Sequence, residues 1–316
     1  MFYSVDSNSA NAQRLRSDQA GYEAWFLTVN QPAAKRGFWF RFTRFRPKPG
    51  VHLEPHSAMW AFTFDHADSS LNTAAKDLYP FSALEFKQPF EISLGDGSLR
   101  LDGSHGRAGD TSWDLTWKPM AEPVAFPFLK APWRDLSLVG NHGAQLQLAV
   151  SGTIRAGGRE HLLVGEPGGQ QHTWGASHAL SWNWGYASGP WGWIDGATSR
   201  VPSRFGRILA GTALGADLGG DTFRLNSLFG ALRHPGQLSP DAWRADLGRL
   251  RLSIVAREQD LIGVNYDDPT GSRRVCYHTE VADLELTLGH RVIRVEGSAA
   301  FEYASEHPLI GRAPLL

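Results

Sequence analysis

Residues 37–46, GFWFRFTRFR, alternate Phe38, Phe40 and Phe42 with Trp39, Arg41 and Thr43. The period of two and the aromatic content predict a strand that carries bulk on both faces. After the turn-rich PKPG, residues 57–65, SAMWAFTFD, repeat the pattern with Met59, Ala61 and Thr63 against Trp60, Phe62 and Phe64, and a second strand paired with the first is expected. FEISLGDGSLRLDGSHGR, residues 90–107, reads as a hairpin around GDG followed by another Gly-rich turn. TSWDLTWKP, residues 111–119, places Trp113, Leu115 and Trp117 on one face. Further alternating runs follow at 144–169, 249–259, 273–288 and 290–304, separated by glycine turns. Helical periodicity is scarce. The best helix signal starts at LSPDAWRADL, with Ser239 as N-cap and Pro240 at the first helical position.

Short strands punctuated by 34 glycines and 18 prolines predict an all-β sandwich or barrel architecture. At 316 residues the chain is long for one barrel, so two β units are expected, divided at the EPGG of 166–169 into residues 1–165 and 166–316. Positive and negative side chains nearly balance, 31 against 32, which provides no basic footprint for a nucleic acid. The single cysteine, Cys276, cannot form an internal disulfide and fits a reducing compartment. The first 25 residues lack the basic-then-apolar secretory pattern, and no apolar run approaches the roughly 18 residues of a spanning helix. A cytoplasmic location is expected, with peripheral contact to a membrane left open.

The densest chemistry lies at 170–193, QQHTWGASHALSWNWGYASGPWGW, which holds five of the twelve tryptophans. On strands, His172 and Trp174 share a face, as do Trp182, Trp184 and Tyr186, so adjacent strands here would build an aromatic wall with an imidazole at its edge. Trp191 and Trp193 extend the wall towards Asp195. If those indoles enclose Asp195, desolvation raises its pKa and makes it a general acid, with His172 as the second proton-handling group; the plainer reading is core packing with Asp195 in a turn. In RRVCYHTE, Cys276, His278 and Glu280 share one strand face, and His278 is a further candidate for lining the pocket. Asp267 and Asp268 read as a hairpin turn.

Competing chemistries have weaker support. His52 and His56 flank Glu54, but Pro55 between them disfavours the helix that a zinc pair would use, and no metal is expected. There is no G-x-S-x-G for a hydrolase, and no G-x-G-x-x-G or phosphate loop opens a helix. No cofactor is expected.

The motifs VGEPGGQQHTWG at 164–175 and WNWG at 182–185, with GFWFRFT at 37–43, MWAFTFD at 59–65, WDLTW at 113–117 and the YDDPTGS…CYHTEVAD segment, resemble the lipocalin-like two-domain family of carotenoid 1,2-hydratases and AttH-like proteins, and more distantly tocopherol cyclases. The resemblance implies two lipocalin-like β units packed together. It also implies a reaction that depends on an H-x-W pair, matched by His172 and Trp174, and on an aromatic-x-Asp, matched by Trp193 and Asp195 with tryptophan where that group has tyrosine. The implied partner is a lipophilic small molecule, an isoprenoid, carotenoid or similar lipid, bound by Trp174, Trp182, Trp184, Tyr186, Trp191, Trp193 and His278. Asp195, assisted by His172, would protonate a C=C bond, and water or an internal hydroxyl would complete a hydration or a cyclisation. A non-enzymatic lipid carrier and a carbohydrate-binding protein use similar walls and stay open at this point.

Overall fold

A computed structural model describes residues 6–120, 126–127, 139–202, 207–309 and 314–316. The first sheet has twelve strands: β1 (Gly21–Gln31), β2 (Arg36–Arg46), β3 (His56–Asp65), β4 (Thr73–Pro80), β5 (Glu85–Lys87), β6 (Glu91–Leu94), β7 (Gly97–Arg100), β8 (Gly103–Ala108), β9 (Thr111–Pro119), β10 (Phe126–Pro127), β11 (Val139–Ala156) and β12 (Arg159–Gly175). Their order is β4-β3-β2-β1-β12-β11-β9-β8-β7-β6-β5, with β10 added to β11. The second sheet has ten: β13 (Ser181–Gly189), β14 (Gly192–Pro202), β15 (Ile208–Leu218), β16 (Asp221–Leu225), β17 (Gln237–Leu238), β18 (Ala242–Asp246), β19 (Leu250–Val255), β20 (Ile262–Asp267), β21 (Arg273–Leu288) and β22 (Arg291–Ser305). Here the order is β16-β15-β14-β13-β22-β21-β19-β18-β17, with β20 on β21. The α-helices among the described residues are two short ones, α1 (Ser7–Asn11) and α2 (Leu228–Arg233).

Alternation sorts the apolar side chains into three cores. Along β2, Phe38, Phe40 and Phe42 enter a core built by the first sheet alone, together with Trp25, Leu27, Met59 and Trp113. Trp39, one residue out of phase, enters a second core where the two sheets meet, with Phe26, Trp60, Phe62, Trp184, Tyr186, Trp193 and Tyr266. A third core belongs to the second sheet, with Ile194, Leu214, Trp243, Leu252 and Phe301. A strand buried on both faces is the expected signature of a sheet sandwiched between two cores.

At the seam the backbones come close. A Cβ at Gly37 would lie 2.2 Å from the Glu280 Cβ, and the Asn30 amide donates to the Glu280 carbonyl at 2.6 Å. The division expected at 165/166 falls inside the continuous strand β12, and the chain passes between sheets at 176–180, a little later. The glycines that read as a boundary serve packing instead, since a Cβ at Gly169 would sit 2.3 Å from the Tyr186 hydroxyl. The helix expected from Ser239 is also replaced. Ser239 donates to the Asp241 carboxylate in a turn, and β18 follows as a strand paired with β19. Trp243 is fully buried there and donates to Thr198 Oγ1 at 2.9 Å, so tertiary burial overrides the local capping signal.

Candidate functional site

The seam between the sheets is where buried polar groups collect. The pleat of β1, β2 and β3 directs Phe26, Trp39, Arg41, Trp60 and Phe62 to one side of it. Across from them stand Trp184 and Tyr186 from β13, Trp193 and Asp195 from β14, Tyr266 from β20, Cys276, His278 and Glu280 from β21, and Glu302 from β22. Tyr186 is locked in place because its hydroxyl donates to the Leu146 carbonyl of the first sheet at 2.9 Å.

Asp195 is fully buried. Its Oδ1 accepts from the Trp184 indole at 3.1 Å, while Oδ2 has no hydrogen-bond partner among the described residues. Burial pushes its pKa up to about 8, against a weaker downward pull from the bonds to Trp184 and Gly196. A carboxyl in that condition is protonated at neutral pH and can donate its proton. Trp184 and Tyr186 lie parallel at 6.5 Å, and Trp193 contacts Phe126 at 6.0 Å, so aromatic faces surround the acid.

Beside this wall, His278 bonds Glu280 through Nε2 at 2.9 Å and Glu302 through Nδ1 at 3.2 Å. Burial would lower the imidazole pKa, but the two carboxylates outweigh it and raise it to about 9. Burial raises Glu280 to about 7. Glu302 is held low despite its burial, by His278, by the Arg41 charge and by the Trp182 indole, which donates to it at 3.1 Å. The His278 ring lies 4.7 Å from Trp39 and 6.3 Å from Trp184, so it links the two faces of the seam. His278, Trp182, Trp184, Tyr186, Trp193 and Asp195 are thereby brought together.

The other expected site residues stand elsewhere. His172 is fully buried, but its ring turns into the first sheet's core and stacks on Trp25 at 4.8 Å. Its Nδ1 bonds the Ala10 carbonyl at 2.9 Å and its Nε2 bonds Glu23 Oε1 at 3.0 Å. Glu23 also accepts the backbone N–H groups of Arg14 and Leu15. Trp174 packs with His172 at 4.7 Å and under the Arg14 guanidinium at 5.2 Å. Trp191 packs against the second sheet's own core. The expected partnership of His172 with Asp195 is therefore not formed: β12 and β13 belong to different sheets, and on β12 it is Gln171 that faces the seam, opposite Phe26. Asp268 caps the expected turn, accepting from Thr270 N at 2.8 Å and from His178 N at 2.6 Å.

Four seam groups did not stand out in the sequence: Trp39, Arg41, Gln171 and Glu302. Arg41 and Gln171 left a signal nonetheless, being polar residues at positions whose sequence neighbours on both sides are buried. Among the described residues, both amide atoms of Gln171 and the indole nitrogen of Trp39 are buried without a partner. Such unspent donors and acceptors are groups that a bound molecule can satisfy.

No protein-family model matches the chain. An uncharacterised protein of Mycobacterium tuberculosis, found alike in strains CDC 1551 / Oshkosh and ATCC 25618 / H37Rv, is 25% identical over 317 residues, covering 94% of this chain and 90% of the relative. Among solved structures, a candidate AttH of Nitrosomonas europaea superposes with a TM-score of 0.59 at 16% identity, over 91% of this chain and 93% of that one. Kievitone hydratase from Nectria haematococca gives 0.55 at 11% identity, over 96% and 95%. CghA, crystallised with Sch210972, gives 0.53 at 10% identity, over 92% and 90%. The chain thus has the all-β fold of two packed lipocalin-like units.

Proposed function

We propose that the seam binds a lipophilic small molecule, an isoprenoid or similar lipid, and that Asp195 starts an acid-catalysed hydration or cyclisation of a C=C bond in it. The observation that carries this reading is the Asp195 carboxyl, buried among indoles, with one oxygen unpartnered and a pKa near 8. Its proton passes to an alkene carbon, and the electron pair of the double bond forms the new C–H bond. The resulting cation rests against the faces of Trp184, Trp193 and Tyr186, where desolvated cation–π contact is worth about 2 kcal/mol. Water or a hydroxyl of the ligand then adds to the cation and returns a proton to Asp195. One structural neighbour is by its name a hydratase, which agrees with the first ending. His172 takes no direct part in this sequence.

The test is native mass spectrometry of the protein with co-purified lipids, followed by incubation with acyclic isoprenoids in isotopically labelled water. We expect an apolar ligand to be retained and labelled oxygen to enter the product, or an isomer of unchanged mass if cyclisation is the outcome. Asp195→Asn should keep the ligand and lose turnover by about 100-fold or more. Full turnover in that variant removes the acid from the mechanism, and an Asp195→Asn protein that turns nothing over beside an equally inactive wild type leaves a carrier.

A further inference from the structure

Arg41 is a buried cation whose donors are not spent on a carboxylate. It is 6% exposed, and its guanidinium carbon lies 4.6 Å from the Tyr266 ring, 5.4 Å from Trp39 and 5.7 Å from Trp60. Among the described residues its Nε has no hydrogen-bond partner and no carboxylate forms an ion pair with it. The neighbouring carboxylate, Glu302, is already engaged by the Trp182 indole, the Tyr266 hydroxyl and His278. The Glu302 charge acts on Arg41 from nearby without a direct bond to it. Lys76 sits over Trp60 at 4.3 Å, and His278 carries a proton shared with its two carboxylates. His178, stacked 3.9 Å from Tyr22, is pushed down to about 4 by burial and is neutral.

Holding a guanidinium by aromatic faces leaves its in-plane N–H groups free to bind an oxyanion. A buried guanidinium with no carboxylate bonded to it is costly even with the Glu302 charge nearby, and an oxyanion on its free N–H groups would remove that cost. The indole N–H of Trp39, also buried and unpartnered, adds a second donor next to it. From Arg41 the aromatic contacts run through Trp39 and His278 to Trp184, whose indole holds Asp195.

Building on the proposed function, we infer that the ligand is an amphipath whose single carboxylate is received by Arg41 and Trp39 while its apolar body extends along the aromatic run towards Asp195. A wholly hydrocarbon ligand would leave both donors unpaired.

The experiment compares retinoic acid with retinol, which share an isoprenoid body and differ in the head group, by quenching of tryptophan fluorescence at neutral pH. We expect the acid to bind the wild-type protein about tenfold more tightly or better, as a charged hydrogen bond would supply. In Arg41→Gln the ratio should fall to near one while retinol affinity holds. Trp39→Phe, a gentler change for the case in which Arg41→Gln does not fold, should reduce the ratio a few-fold. Equal affinities in the wild type, or a ratio unchanged in whichever variant folds, overturns the inference and leaves the aromatic site standing. Binding of neither probe overturns both.

Discussion

Two buried imidazoles of this chain do opposite things. His172 bonds the Ala10 carbonyl and Glu23, and Glu23 in turn is closed off by two backbone N–H groups of the segment after α1. That arrangement fastens the N-terminal segment to the first sheet and leaves the imidazole no free nitrogen. His278 bonds two acids and sits in the seam that also holds Trp39, Arg41, Gln171 and Asp195, each with at least one buried polar atom that has no partner among the described residues. The difference teaches that burial of a titratable group does not mark chemistry. A satisfied network rigidifies, and one with unspent donors and acceptors is where a ligand gains by binding.

The comparison breaks most directly at His172. His172→Ala leaves Glu23 without its imidazole partner and a cavity between Trp25 and Trp174, and we expect a loss of about 3 kcal/mol in chemical denaturation. Activity per folded molecule should remain; a folded variant without activity would place His172 in the chemistry after all.

The seam predicts a pH dependence. Asp195 must hold its proton to act, so kcat/KM should fall as pH rises through about 8. Because its folded pKa is raised from 3.8, its contribution to stability is full below about 4 and is lost as pH rises through about 8. Glu280, raised to about 7, works in the same sense, and the His278 contribution is lost as pH rises through about 9. Unfolding measured from acid to alkaline pH should therefore show a decline that is shallower in Asp195→Asn than in the wild type. Equal slopes in the two proteins would show that Asp195 titrates normally.

The smallest expected effect sharpens the same point. Trp184→Phe removes the indole N–H from Asp195 Oδ1, costs about 1 kcal/mol of stability, and lets burial act on the carboxyl with less opposition. The alkaline limb of the rate profile should move to higher pH. A limb that moves to lower pH contradicts the assignment of that limb to Asp195.

Much of the fold was legible because alternation is a local property. The strands at 36–46, 56–65, 111–119 and 273–288 lie where apolar periodicity predicts them, and Trp113, Leu115 and Trp117 share the buried face expected of them. The misreadings share one cause. Ser239-Pro240 and the EPGG of 166–169 are strong local signals for a helix start and a chain break, yet Trp243 packs across the fold just after the first and Tyr186 packs against Gly169 of the second.

The candidate site divides in the same way. Residue order established which side chains share a strand face: Trp182, Trp184 and Tyr186 on one, Trp193 and Asp195 on another, Cys276, His278 and Glu280 on a third. It also placed His172 and Trp174 together on a face of β12, as they are found. What sequence spacing does not encode is which sheet a neighbouring strand joins. Only the tertiary structure put β12 and β13 in different sheets, turned His172 into the first core, and set Arg41 and Trp39, about 150 residues away in the chain, against the wall that holds Asp195. The pleat has a period of two and is read along the chain, whereas the pairing of faces across the seam is decided by the packing of two sheets.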